Sequence, residues 1–248
     1  LETLEPKLLL SADGAPGVHR IEGSIDQPGE QDVYEFVITQ QTRFFFDGIS
    51  GEQMSWQLQG RNSADSFSSR SLTSVNDRFL DLNPGTYRLT VDAAGDATGN
   101  YVFRLIGEEG AEWLTPGTEV SGTMQPGTQA HMYKVSLQAG DRVFFQNDVP
   151  TGSNASSQNQ GTWTLFDPDA LVAVSAQNLR SDNGAFVVSK TGTYWLSVEG
   201  QAGSTATLNY RFTLHRQAAQ RVTLMLGEVM TADLSAPGRE AVVARVEV

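Results

Sequence analysis

The sequence of 248 residues contains no cysteine, and none of its apolar runs approaches the length of a transmembrane helix, about 20 residues. The lack of cysteine excludes disulfides, thiolate metal sites and cysteine nucleophiles. Basic residues are also scarce, 17 against 29 acidic ones, so the net charge is −12. This charge would repel a phosphate backbone. We therefore expect neither nucleic-acid binding nor insertion into a membrane.

Motifs for catalysis are missing as well. The three histidines, His19, His131 and His215, have no neighbours at metal-ligand spacing. There is no Gly-x-Ser-x-Gly elbow and no glycine-rich phosphate loop. We therefore predict that the protein is not an enzyme. The alternative, a glycosidase or lyase, requires two carboxylates about 5–10 Å apart, and a sequence does not display such convergence.

The chain does contain the alternating pattern of β-strands, together with many turn residues. Tyr87, Leu89 and Val91 alternate with Arg88 and Thr90, which is typical of a strand with one face buried. The chain has 24 glycines and 9 prolines, which separate such runs at short intervals. No long segment has the 3.6-residue period of a helix. The pattern predicts an all-β protein built from antiparallel strands.

The strands occur in an internal repeat. Asp32-Val-Tyr-Glu-Phe-Val-Ile38 corresponds to His131-Met-Tyr-Lys-Val-Ser-Leu137, and Gly85-Thr-Tyr-Arg-Leu corresponds to Gly192-Thr-Tyr-Trp-Leu. An insertion at roughly 147–161 lengthens the second copy. A third copy begins near residue 227 but contributes only about two strands, which cannot close a sandwich.

The repeat predicts two tandem antiparallel jelly-roll-like β-sandwiches plus a partial third repeat. Two sandwiches of roughly 100 residues each also fit the chain length. The predicted boundaries are an N-terminal segment 1–16, a first repeat 17–107, a linker 108–116, a second repeat 117–216 and the start of a third repeat 217–248.

Three runs of the first repeat resemble the bacterial pre-peptidase C-terminal domain: Asp32-Val-Tyr-Glu-Phe, Gly85-Thr-Tyr-Arg-Leu-Thr-Val and Gly99-Asn-Tyr-Val-Phe. The resemblance implies a jelly-roll-like sandwich attached to secreted proteases and surface proteins, and some relatives bind collagen or polysaccharide. The second copy departs from the pattern, because His131 stands where the first has Asp32.

The start of the chain, Leu4-Glu-Pro-Lys-Leu-Leu-Leu10, resembles the LEPR-XLL motif of very large exported bacterial proteins, with Lys7 in place of the usual arginine. The resemblance implies an adhesin-like protein, secreted or at the bacterial cell surface, whose partners include downstream domains of the same chain. Two roles remain open for this segment: its leucines dock on a sandwich, or it is a recognition tag read during export.

Two features are candidate ligand contacts. Trp195 alternates away from Tyr194 and Leu196, so we expect it on the outer face of its strand, stacking on a sugar ring or contacting a neighbouring domain. The inserted loop is polar and uncharged, and its residues Asn154, Gln158 and Asn159 offer amide groups to an extracellular glycan or protein. The alternative for this loop is a surface insertion without a ligand.

Asp167-Pro-Asp169 is the candidate metal site. Carboxylates on a β-turn suit Ca²⁺, so Asp167 and Asp169 are predicted calcium ligands, with a plain Asp-Pro turn as the alternative. No other cofactor is expected. The sequence thus favours a non-catalytic structural and adhesive spacer with weak glycan or protein binding. The alternative function is a carbohydrate- or collagen-type binding module accessory to a secreted hydrolase.

Overall fold

The computed structural model describes residues 7–8, 17–61, 66–73, 78–125, 128–148, 161–201, 204–218, 222–224 and 244–246. Most of the described chain is strand, and the one helical element within it is a 3-10 turn at Glu108–Gly110. The loop residues Asn154, Gln158 and Asn159 lie outside the described residues. So does the N-terminal segment apart from 7–8, and most of the predicted third repeat.

The first sandwich consists of strands β1 to β9. One sheet has the order β1-β3-β8-β5-β6 and the other the order β2-β9-β4-β7. Their bounds are β1 Lys7–Leu8, β2 Val18–Ile25, β3 Gln31–Ile38, β4 Thr42–Ser50, β5 Met54–Gln59, β6 Phe67–Ser71, β7 Arg78–Leu82, β8 Gly85–Ala93 and β9 Gly99–Gly107.

The second sandwich repeats this topology strand for strand. Its sheets have the orders β10-β12-β17-β14-β15 and β11-β18-β13-β16. The bounds are β10 Glu112–Trp113, β11 Glu119–Met124, β12 Ala130–Leu137, β13 Arg142–Asn147, β14 Thr162–Phe166, β15 Val172–Asn178, β16 Asn183–Val187, β17 Gly192–Glu199 and β18 Leu208–Gln217.

Most successive strands change sheets, from β2 to β3, β3 to β4 and β4 to β5, which is the jelly-roll arrangement. The predicted fold class is thereby confirmed. Two further short strands, β19 Val222–Leu224 and β20 Ala244–Val246, pair in parallel. In the N-terminal segment, β1 pairs in parallel with β3, Lys7 opposite Tyr34.

The chain divides into two compact units. One comprises Leu1–Glu112, Met124–Met132 and Glu199–Thr207, and the other comprises Trp113–Thr123, Tyr133–Val198 and Leu208–Val248. The domain boundaries drawn from the sequence repeat stay a prediction.

Stacked aromatic rings form the centre of each core. In the first sandwich Phe46 stacks on Trp56, with ring centroids 3.9 Å apart, and on Phe103 at 5.2 Å. In the second, Phe145 stacks on Trp163 and on Phe212, both at 4.7 Å. Trp56 and Trp163 are almost fully buried. Both rings therefore belong to the core, and stacked pairs of this kind add about 1 kcal/mol each beyond burial.

Candidate functional site

Trp195 is on β17, on the face opposite Tyr194 and Leu196, as the alternation predicts. However, its side chain is only 4% exposed. The Lys134 ammonium is 5.9 Å from the centre of its ring. Of the two predicted roles, the one in which the ring is covered fits this placement. A ligand contact by Trp195 stays a prediction.

Trp113 is the exposed aromatic that the sequence reasoning missed. It is 61% exposed on the two-residue strand β10, and Lys134 lies 5.1 Å from its ring centre. This lysine therefore contacts both Trp113 and Trp195 through cation–π interactions. Trp113 falls in the predicted linker 108–116, where no alternation reveals which side chains are exposed.

Asp167 and Asp169 do converge, but on a lysine. The Lys190 ammonium donates hydrogen bonds to Asp167 Oδ2 at 2.5 Å and to Asp169 Oδ2 at 2.6 Å. Asp167 Oδ1 accepts from the backbone amides of Asp169 and Leu171, at 2.9 and 3.0 Å. These bonds close the turn predicted as the alternative to a metal site. Calcium binding by Asp167 and Asp169 stays a prediction, and it would have to displace Lys190.

The electrostatics of this cluster follow from its hydrogen bonds. Burial of Asp167 alone would raise its pKa, but the bonds from Lys190, Leu171 and Asp169 outweigh burial and lower the pKa below its ordinary value. The two carboxylates in turn raise the pKa of Lys190. A general acid of a glycosidase needs the opposite shift, a raised carboxyl pKa. The pair is thus suited to holding a cation rather than to acid catalysis.

The other buried carboxylates are also engaged in the scaffold. Asp47 accepts a hydrogen bond from Arg104 Nε at 2.6 Å, and Asp141 forms an ion pair with Arg216 at 2.6 Å. Asp32 accepts from the Tyr101 hydroxyl at 2.5 Å. Among the residues with described placement, no group of three or more histidines or acidic side chains is arranged to hold a metal ion.

The three histidines do not come together. His19 packs edge-on against Phe44, with ring centroids 6.3 Å apart, and the His215 ring is 2.8 Å from Gln146 Oε1. His131 is half-buried on β12, and burial together with the charge of Arg104 lowers its pKa. The three histidines thus lie on three different strands, β2, β12 and β18.

A pair of arginines at one edge of the first sandwich was not predicted. Arg70 is on β6 and Arg78 on β7, and Arg78 Cζ is 4.7 Å from the centre of the Phe67 ring. Burial, followed by the charge of Arg70, lowers the pKa of Arg78. The sequence alone does not mark this pair. Only the strand register shows that Gln177 and Asn183 stand at the matching positions of the second repeat.

No helix in the described part of the chain is long and apolar enough to cross a membrane. No protein-family model matches the sequence, and a search of curated proteins found no match.

Three solved structures illustrate the similarities found. The pre-peptidase C-terminal domain of a collagenase from Bacillus anthracis is 18% identical, covering 44% of this chain and 99% of its own, with a TM-score of 0.33. The CUB1-EGF-CUB2 domains of human MASP-1/3 are 8% identical, covering 79% and 99%, with a TM-score of 0.23. Tripeptidyl peptidase 2 is 13% identical, covering 84% of this chain and 24% of its own, with a TM-score of 0.27.

Proposed function

We propose that the chain is a non-catalytic structural and adhesive module of a large secreted or cell-surface bacterial protein. Its repeats act as spacers that present downstream domains of the same protein. Weak contacts to an extracellular glycan or protein come from the inserted loop, through Asn154, Gln158 and Asn159.

The observation that carries this proposal is the burial of most of the large aromatic side chains. Binding modules for sugars present aromatic rings to solvent, whereas here Phe46 and Trp56 stack in one core and Phe145 and Trp163 in the other. Burial extends to Trp195, the one tryptophan expected outside. The buried carboxylates likewise stabilise the scaffold through ion pairs and hydrogen bonds. Aromatic and acidic side chains that stabilise the fold in this way support a structural role more than a catalytic one.

The competing function, a carbohydrate- or collagen-type binding module, is favoured by one observation. Trp113 exposes most of its ring while Lys134 lies against it. A ring held in this way could stack on a sugar with little loss of side-chain entropy. Among the described residues Trp113 is not joined by a row of exposed aromatics, which a sugar-binding face presents, so we prefer the spacer.

A glycan array probed with the intact chain separates the two functions. For the spacer we expect no binding, or binding with millimolar dissociation constants that Trp113→Ala leaves unchanged. Micromolar binding that disappears in Trp113→Ala, and survives in the buried-ring control Trp195→Phe, would establish the binding module instead. Thermal melting of each variant verifies that the fold is retained.

A further inference from the structure

The β6–β7 edge of the first sandwich carries two positive charges next to one aromatic pair. β6 and β7 are the end strands of their respective sheets. Arg70 is opposite Trp56 in the β5–β6 pairing, and Arg78 is opposite Phe46 in the β4–β7 pairing. Phe46 and Trp56 stack on each other. The two arginines, one at the edge of each sheet, are therefore cross-strand neighbours of the same aromatic stack.

Neither arginine forms an ion pair in the described chain, although acidic residues outnumber basic ones by 29 to 17. Other arginines of the first repeat are paired, for example Arg43 with Asp81 at 2.5 Å and Arg88 with Glu35 at 3.1 Å. Two neighbouring guanidinium groups repel each other, and an anion bound between them would remove that repulsion.

The geometry of Arg78 suits such an anion. Its guanidinium lies over the Phe67 ring, and its Nε donates to the Phe79 carbonyl at 3.5 Å. The stacking leaves the two terminal NH2 groups as donors for an anion. A carboxylate accepts two such donors side by side, which is the strong bidentate form of this ion pair.

The second repeat shows that the fold does not require these charges. Gln177 occupies the position opposite Trp163, and Asn183 the position opposite Phe145. The same two edge strands therefore form with neutral side chains at both positions. The arginine pair is a property of the first repeat alone.

The backbone of β6 adds a second recognition element. In the described structure β6 pairs with β5 on one side and ends the sheet on the other. Residues 68–71 of this strand are exposed. An end strand of this kind can accept an extended peptide as an additional strand.

We propose that the β6–β7 edge of the first repeat binds an extended acidic peptide segment of another protein, which pairs with β6 and places carboxylates on Arg70 and Arg78. The unpaired backbone favours a peptide over an acidic polysaccharide, because only a peptide can complete the strand hydrogen bonds. This docking site is independent of the proposed spacer function.

The test is fluorescence anisotropy of the intact chain with a labelled peptide of alternating glutamate and valine. Arg70→Gln and Arg78→Asn install the side chains of the second repeat. Each is expected to weaken binding by about tenfold, the worth of one charge-assisted hydrogen-bonded pair. Arg20→Gln is the matched control, because it removes the same charge from an arginine already paired with Glu22. It should leave binding unchanged.

Three results would overturn the proposal. Equal weakening by Arg20→Gln would mean general charge attraction, and undiminished binding of a peptide methylated on alternate backbone nitrogens would exclude strand addition. Binding of heparin without binding of the peptide would identify a polysaccharide site. Circular dichroism checks that each variant is folded. Because Arg70 is exposed, Arg70→Gln alone can test the proposal if Arg78→Asn unfolds.

Discussion

Gly23 faces the hydroxyl group of Tyr101 so closely that a Cβ atom at Gly23 would lie 2.3 Å from the hydroxyl oxygen. The second repeat reproduces this relationship between Gly122 and Tyr210, also at 2.3 Å. In both repeats the tyrosine hydroxyl meets a second tyrosine hydroxyl, Tyr34 in the first and Tyr133 in the second. The glycines that open each repeat thus make room for a buried tyrosine pair.

Gly23→Ala should therefore destabilise the first sandwich. The added methyl group has to displace a buried ring, and overpacking of this kind costs about 1–3 kcal/mol. Urea denaturation measures the loss. Gly85→Ala is the control, since its Cβ would meet its nearest atom, in the Tyr87 ring, at 3.9 Å, an ordinary contact. Equal stability of the two variants would contradict this account of Gly23.

The hydrogen bond from Tyr101 to Asp32 should show measurable coupling. Asp32 is 5% exposed, and a buried carboxylate that loses a donor pays much of its desolvation cost. Tyr101→Phe is expected to cost about 1.5–3 kcal/mol. A double-mutant cycle with Asp32→Asn should return a coupling energy of about 1 kcal/mol or more. Strict additivity of the two variants would show that the bond does not stabilise the fold.

The fold was predictable because strand alternation and the internal repeat can both be read directly from the order of residues in the chain. Tyr87, Leu89 and Val91 are buried where their period-two positions place them. The surface was harder to predict. Trp195 satisfies the alternation yet is buried, because alternation assigns a side chain to a face of the sheet and does not tell whether that face is covered.

The candidate sites depend on contacts distant in sequence. Asp167 and Asp169 were recognised as a converging pair, but Lys190 arrives from beyond two further strands, β15 and β16. Likewise, Arg70 and Arg78 become neighbours only once β6 and β7 are known to end their sheets. A sequence displays spacing along the chain, whereas these clusters depend on register between strands.

The lowered pKa of His131 predicts a loss of stability on acidification. The ordinary histidine pKa of 6.5 applies to the unfolded chain. The unfolded state therefore binds a proton more readily than the folded state. Stability should therefore fall as the pH drops below about 6.5 and level off below the folded-state pKa. Denaturation midpoints from pH 8 to 5 measure this slope, and His131→Gln should flatten it. An unchanged slope in His131→Gln would assign the acid sensitivity to other groups.

Lys190 should compete with calcium for Asp167 and Asp169. Its ammonium already satisfies one oxygen of each carboxylate, so we expect the melting temperature of the native chain to respond little to calcium or to EDTA. Lys190→Gln removes this cation and leaves two converging carboxylates that repel each other. Calcium should then raise the melting temperature of the variant, since an ion that binds only the folded state stabilises it. Asp169→Asn, combined with Lys190→Gln, should abolish the response. A calcium-dependent rise in the native chain itself would instead mean that the metal displaces Lys190, as the sequence-based prediction of a calcium site requires.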